Sequence, residues 1–254
     1  MAERLDGTVA LVTGASSGIG EATARMLARH GAAVAVVARR AERLTSLVGE
    51  IAQAGGVAVA IDADLGIEGA GATVVARTVA ELGRLDIVVN NAGVMLLGPI
   101  VGAPTEEWQR MLAINVIGLL AVTDAAVPHL LAAAEDGPRH VADIVNVSSV
   151  AGRVARAGAG VYNLTKHGVG AFSESLRQEL TERYVRVSLV EPGGVDTELT
   201  DHLRPEIRAQ SAARFADVKK LAADDIAEAI CFIVTRERDV AINELLVRPT
   251  QQVP

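Results

Sequence analysis

The sequence predicts an α/β fold in one domain, a doubly wound, seven-stranded parallel sheet with helices on both faces. Three observations lead there. Short β-branched runs alternate with longer helical patterns along the chain. Most of those runs are apolar on both faces, as strands covered by helices on two sides should be. No repeat, low-complexity tract or linker divides the 254 residues, a length that suits one large α/β domain.

The first strand is "TVALV" (8–12), followed by a glycine-rich turn and a helical pattern near 18–30. "AVAVV" (33–37) and "VAVAI" (57–61) follow, with helical patterns near 41–54 and 67–82. "LDIVVN" (85–90) precedes the longest helical pattern, 105–134, and "DIVNV" (143–147) precedes another at 160–182. "VRVSLV" (185–190) is the sixth strand, and a helix near 224–236 leads to "ELLV" (244–247). Between them lies the irregular stretch 196–222, which leaves the C-terminal end of a strand, where open α/β sheets bind ligands. It mixes Leu199, Leu203, Ile207 and Phe215 with many charges, and is read as a substrate lid. Pro205 makes one continuous helix unexpected there.

Half of the residues are apolar but only 2% are aromatic, so the core must be built from Ala, Val, Leu and Ile. A formal net charge of −7 argues against a nucleic-acid partner, which would need a basic face. The single cysteine, Cys231, can form no internal disulfide and reads as a small buried hydrophobe in a reducing compartment. "MAERLDG" lacks the pattern of a signal peptide. The best membrane candidate, "GLLAVTDAAVPHLLAAA", is interrupted by Asp124, Pro128 and His129 and is shorter than the ~20 apolar residues of a span. A soluble, cytoplasmic protein without membrane contact is expected. The five histidines (30, 129, 140, 167, 202) show no ligand spacing, so no metal is expected.

Between the first strand and its helix stands "TGASSGIG", Thr13 to Gly20. Gly14, Gly18 and Gly20 permit a tight turn and close backbone approach, and the N–H groups around Ser16, Ser17 and Ile19 favour a pyrophosphate. The spacing is G-x-x-x-G-x-G, in a Rossmann-type strand–turn–helix setting. The second strand ends in "VVARRAERL", with no acid before Glu42 to hold ribose hydroxyls. Arg39 and Arg40 can instead accept a 2′-phosphate through charge-assisted hydrogen bonds, with Arg39 the first choice and the Ser16 hydroxyl assisting. Arg43 reads as part of the solvated face of the next helix. NADP(H) is therefore the expected cofactor.

Further motifs follow in order: "NNAG" (90–93), Asn115 in "INVIG", "NVSS" (146–149), "YNLTK" (162–166) and "EPGGVDT" (191–197). Together with the glycine turn they resemble the short-chain dehydrogenase/reductase family, in its compact single-domain branch, over nearly the whole chain. Within it, "GEATAR", "MLLGP", "FSESLRQELTER" and "INELLVRPT" are similar to a bacterial subgroup that includes clavulanic acid dehydrogenase. The end "VRPT" departs from the aspartate and two glycines of many members. The resemblance implies a catalytic set of Asn115, Ser149, Tyr162 and Lys166, with Ser148 the rival of Ser149. It implies cofactor contacts from Asp64 and Leu65, from Asn91, Ala92 and Gly93, and from Pro192, Gly193, Val195 and Thr197, besides Tyr162 and Lys166. It also implies a homodimer or homotetramer built on the helices at 105–134 and 160–182, with Trp108 and Met111 near the contact.

The chain has three lysines, and only Lys166 is isolated; it follows one of two tyrosines by four residues. On a helix these share a face. A phenol of pKa about 10 can protonate a forming alkoxide if it is made more acidic. A lysine charge near 4 Å interacts by about 4 kcal/mol at an effective dielectric of 20, so a lowering of roughly 1.5 units is expected even if only half survives. The expected activity is NADP(H)-dependent interconversion of a small-molecule aldehyde or ketone and an alcohol. An epimerase or dehydratase that retains its nicotinamide, or a non-catalytic NADP sensor, are the competing readings.

Overall fold

Alternation of apolar side chains between two faces explains how the sheet is covered. The computed structural model describes residues 4–215 and 217–253, without the side chain of Arg214; Met1–Glu3, Pro254 and Ala216 of the expected lid lie outside them. Seven strands run parallel in the order β3-β2-β1-β4-β5-β6-β7: β1 (Val9–Thr13), β2 (Ala33–Ala38), β3 (Val57–Asp62), β4 (Ile87–Asn90), β5 (Ala142–Val147), β6 (Val185–Pro192) and β7 (Glu244–Val247). On β1, Ala10 and Val12 face one core with Leu27 of α1 (Gly18–Arg29), Leu44 and Leu47 of α2 (Ala41–Gln53), and Ile226 and Ile230 of a later helix, Ala223–Val234. Leu11 faces the other core with Val74 and Val75 of α3 (Ala70–Leu82) and with Val122, Ala126 and Leu130. The period of two along each strand thus feeds two helical layers.

The chain steps outward from β1 to β2 and β3, then returns to the other side of β1 as β4. That reversal opens a crevice at the C-terminal ends of β1 and β4, the usual ligand position in such sheets. The long pattern at 105–134 is observed as α4 (Thr105–Leu112), a π-helical segment (Ala113–Gly118) and α5 (Leu119–Asp136). At 32 residues this run is apolar and long enough to cross a membrane, yet Val122, Ala126 and Leu130 are fully buried against the sheet. Met111 is likewise inside, beside Val94, Leu96 and Tyr162, with Trp108 packed on the same cluster.

α6 (Gly160–Leu180) carries the Tyr–Lys pair. In the stretch 196–222, a 3₁₀ turn (Glu198–His202) precedes α7 (Pro205–Arg214), and α8 (Ala223–Val234) follows. Pro205 starts α7 instead of interrupting it, because its missing N–H costs nothing in the first turn. The base of the stretch is closed by a parallel bridge between Val195 and Leu221.

Candidate active site

The glycine turn fits β4 tightly. Gly14 has φ +67°, and a Cβ there would stand 2.9 Å from Ala92 Cα and from Asn91 Nδ2. Asn91 Nδ2 donates to Thr13 O at 2.9 Å, and Thr13 Oγ1 accepts from the N–H groups of Asn91 and Ala92, each at 3.0 Å. Gly20 lies against Gly14 O, where a side chain would force the turn apart. Gly18, at φ +57°, leaves only 3.0 Å between its would-be Cβ and Thr197 Cγ2, so the turn also faces the loop after β6. A narrow, glycine-walled cradle at the start of α1 is the shape a pyrophosphate needs.

At the end of β2, Arg40 lies against the glycine turn and Arg39 points elsewhere. Arg40 Nε donates to Ser16 Oγ at 3.0 Å and its Nη2 to Ser17 Oγ at 2.8 Å, which lays the guanidinium along the turn. Arg39 turns toward β3, with Nη1 3.8 Å from Asp64 Oδ2. Asp64 also accepts from Gly66 N at 3.0 Å, while Leu65 is buried beside it. Arg43 is not simply solvated. It and Arg40 share the carboxylate of Glu198, at 2.6 and 2.7 Å.

On the far side of the crevice, Tyr162 is 6% and Lys166 7% exposed. Burial pushes the Tyr162 phenol up to about 12, outweighing a smaller lowering by the neighbouring Ser149 hydroxyl. The expected acidification by Lys166 is absent from this geometry. Lys166 Nζ donates to Val147 O at 2.8 Å and stands 5.9 Å from the Tyr162 ring centre, with its own pKa brought down by burial to about 8. Desolvation dominates both groups because neither faces open water. At neutral pH the phenol is thus a neutral donor and the ammonium an unusually acidic one.

The two serines differ in their contacts. Ser148 Oγ is committed to Lys166 O at 3.0 Å, whereas Ser149 stands at the phenol and accepts from Ala151 N at 3.1 Å. Asn115 sits in the π-helical segment, a type of bulge frequent at functional sites. Its side chain brackets Val94, accepting from N at 2.8 Å and donating to O at 2.9 Å, and reaches Thr165 Oγ1 at 3.3 Å. Asn115 therefore joins the strand exit at Gly93 and Val94 to the helix of Tyr162 and Lys166. After β6, Gly193 N donates to Val247 O at 2.7 Å and Gly194 N to Gln252 Oε1 at 2.8 Å, so the C-terminal tail holds the loop from Pro192 to Thr197. Among the described residues no cluster of His, Cys, Asp and Glu could hold a metal.

Three contributors escape sequence reasoning: Glu198, Gln252 and the Arg153–Glu191 pair. Arg153 Nε donates to both Glu191 oxygens at 2.7 and 2.8 Å, tying the turn after Ser149 to the end of β6. The signal was there for Glu191, since an acid near the end of a fully buried strand must have a partner.

A family model described as short chain dehydrogenase matches residues 8–208. An uncharacterized oxidoreductase of Staphylococcus epidermidis is 34% identical over 241 residues, 95% of this chain and 96% of its own. The closed form of a serine dehydrogenase complexed with NADP+ superposes with a TM-score of 0.87 at 32% identity, covering 97% of each chain. A 3-ketoacyl-(acyl-carrier-protein) reductase from Brucella melitensis complexed with NADH gives 0.85 at 30% identity, over 98% of this chain and all of that one. With its glycine cradle, Ser149 at the Tyr162 phenol and Lys166 beneath, the chain belongs to the short-chain dehydrogenase family.

Proposed function

We propose that the protein is an NADPH-dependent reductase of aldehydes or ketones, working reversibly on the corresponding alcohols. The observation that carries this reading is the buried pair on one face of α6, Tyr162 with Lys166 5.9 Å from its ring centre and held at Val147 O. NADPH, when bound, supplies the hydride. Ser149 orients the substrate oxygen, and Tyr162 donates its proton to that oxygen as negative charge develops. The phenolate left behind is costly in this buried position, and Lys166 returns the proton. Its pKa of about 8, against an ordinary 10.5, makes it about 300-fold more acidic than a solvated lysine. Asn115 keeps α6 and the strand exit in register through Thr165 and Val94. Substrate selection is assigned to the lid at 196–222. The likeness to the subgroup of clavulanic acid dehydrogenase belongs to this same reading.

Neighbours carry either nicotinamide, so cofactor choice rests on Arg40. Its contacts with Ser16 and Ser17, and the lack of an acid at the end of β2, support NADP(H). Wild-type protein is expected to bind NADPH at least about tenfold more tightly than NADH, a difference of about 1.4 kcal/mol. Arg40→Asp is expected to abolish or reverse that ratio, as read by titrating the fluorescence of each reduced cofactor. A wild type that binds both equally would remove the arginine from the reading.

We also assign a homo-oligomer to the face formed by the π-helical segment and α6, where Ile117 is 60% and Leu164 62% exposed. A second copy covering these side chains would bury apolar surface that a monomer leaves in water. A cytoplasmic location is part of the same proposal.

A further inference from the structure

Glu198 lies on the first turn of the stretch 196–222, 158 residues from Arg40, yet its two oxygens meet two different arginines. Oε2 accepts from Arg40 Nη1 at 2.7 Å and Oε1 from Arg43 Nη1 at 2.6 Å. Arg40 spends its remaining donors on Ser16 and Ser17 of the glycine turn. The carboxylate thus crosses the crevice from the β6 side to the β2 side, directly over the cradle. Thr197, the neighbouring residue, abuts Gly18 at the same place.

We propose that Glu198 is a built-in rival of the cofactor's 2′-phosphate: it holds Arg40 and Arg43 until a 2′-phosphorylated adenosine displaces it, which releases the first turn of the lid. The inference rests on the assignment of NADP(H) above. A carboxylate presenting one oxygen to each guanidinium imitates two oxygens of a phosphate, and a phosphate monoester brings a larger charge, about −1.5 to −2 at neutral pH. The contact is also made to be broken. Glu198, Arg40 and Arg43 are 40%, 44% and 50% exposed, and ion pairs so placed contribute little to stability. Arg43 and Arg40 hold the Glu198 carboxyl down at about 2, so it stays ionised at any physiological pH and only a competing anion can dislodge it. NADH, which has no 2′-phosphate, leaves the pair in place. The same contact therefore makes the lid responsive to one cofactor and not to the other.

Glu198→Gln tests this with binding alone. The variant keeps the size of the side chain and removes the rival charge. It is expected to bind NADPH, and adenosine 2′,5′-bisphosphate in a calorimeter, about threefold to tenfold more tightly than wild type, the range set by two exposed pairs. NADH and 5′-AMP are expected to bind within about twofold of wild type. In wild type, adenosine 2′,5′-bisphosphate and not 5′-AMP is expected to speed amide exchange across 198–203. Unchanged or weaker NADPH binding by the variant, while wild type keeps its NADPH preference, overturns the role of Glu198 and spares the cofactor assignment. Equal tightening toward NADPH and NADH also overturns it, because the carboxylate would then obstruct the crevice in general. A wild type with no preference between the cofactors overturns the assignment and this inference together.

Discussion

Tyr162→Phe is expected to lower kcat by about 10²–10⁴-fold, the range ordinary for losing a positioned acid, while the Kd for NADPH stays within about twofold. The substitution removes one hydroxyl and leaves the ring among Val94, Leu96 and Met111. Ser149 keeps its hydrogen bond from Ala151 N, so no partner is stranded without any contact. Stability should therefore change by no more than about 1 kcal/mol, the net worth of one hydrogen bond. Steady-state rates with a reactive aldehyde, beside a fluorescence titration of NADPH, separate the chemical loss from any loss of binding. Turnover within about tenfold of wild type would mean that another group delivers the proton.

Lys166→Met carries the second large effect, and it has two readouts. Turnover is expected to fall by at least about 10²-fold, since the phenolate loses its proton source. Stability should report the same buried charge. The folded-state pKa of Lys166 is depressed to about 8 from 10.5, so between those values the unfolded chain binds more protons than the native one. Wild-type stability therefore rises with pH across that window, and the cost of the buried ammonium is in force below pH 8. Subtracting the methionine variant cancels other titrations. The difference, wild type minus variant, is expected to climb by about 3 kcal/mol from pH 8 to 10.5. Chemical unfolding at several pH values measures it, and a flat difference would mean the ammonium is not desolvated.

The features legible in the sequence are those that depend on near neighbours in the chain. Strands such as β1 and β2 are apolar on both faces, so their burial in a parallel sheet follows directly. Tyr162 and Lys166 meet because four residues of helix bring them to one face. The glycines before α1 announce a tight turn, whereas its close packing on Asn91 and Ala92 is seen only in the structure. What was hidden depends on contacts made far along the chain. Arg39 and Arg40 are adjacent and alike in type, and only the serines 23 and 24 residues earlier decide which guanidinium lies over the turn. Arg43 looked solvated because its partner, Glu198, arrives from another crossover. The phenol pKa moved opposite to expectation because spacing along a helix describes proximity, whereas desolvation depends on what covers the pair. The π-helical segment around Asn115 breaks no sequence rule, and nothing in "INVIG" distinguishes it from ordinary α-helix.

The most direct test of the proposed chemistry is hydride bookkeeping on purified protein. NADPH deuterated at either face of nicotinamide C4 is supplied with a panel of aldehydes and ketones, and the products are read by mass spectrometry. The expected result is steady NADPH consumption, one alcohol formed per NADPH, and deuterium on the carbinol carbon from one C4 position only. No consumption with any carbonyl compound, or product formed while the nicotinamide stays bound and unchanged in amount, would contradict a reductase and favour a sensor or an epimerase-type cycle.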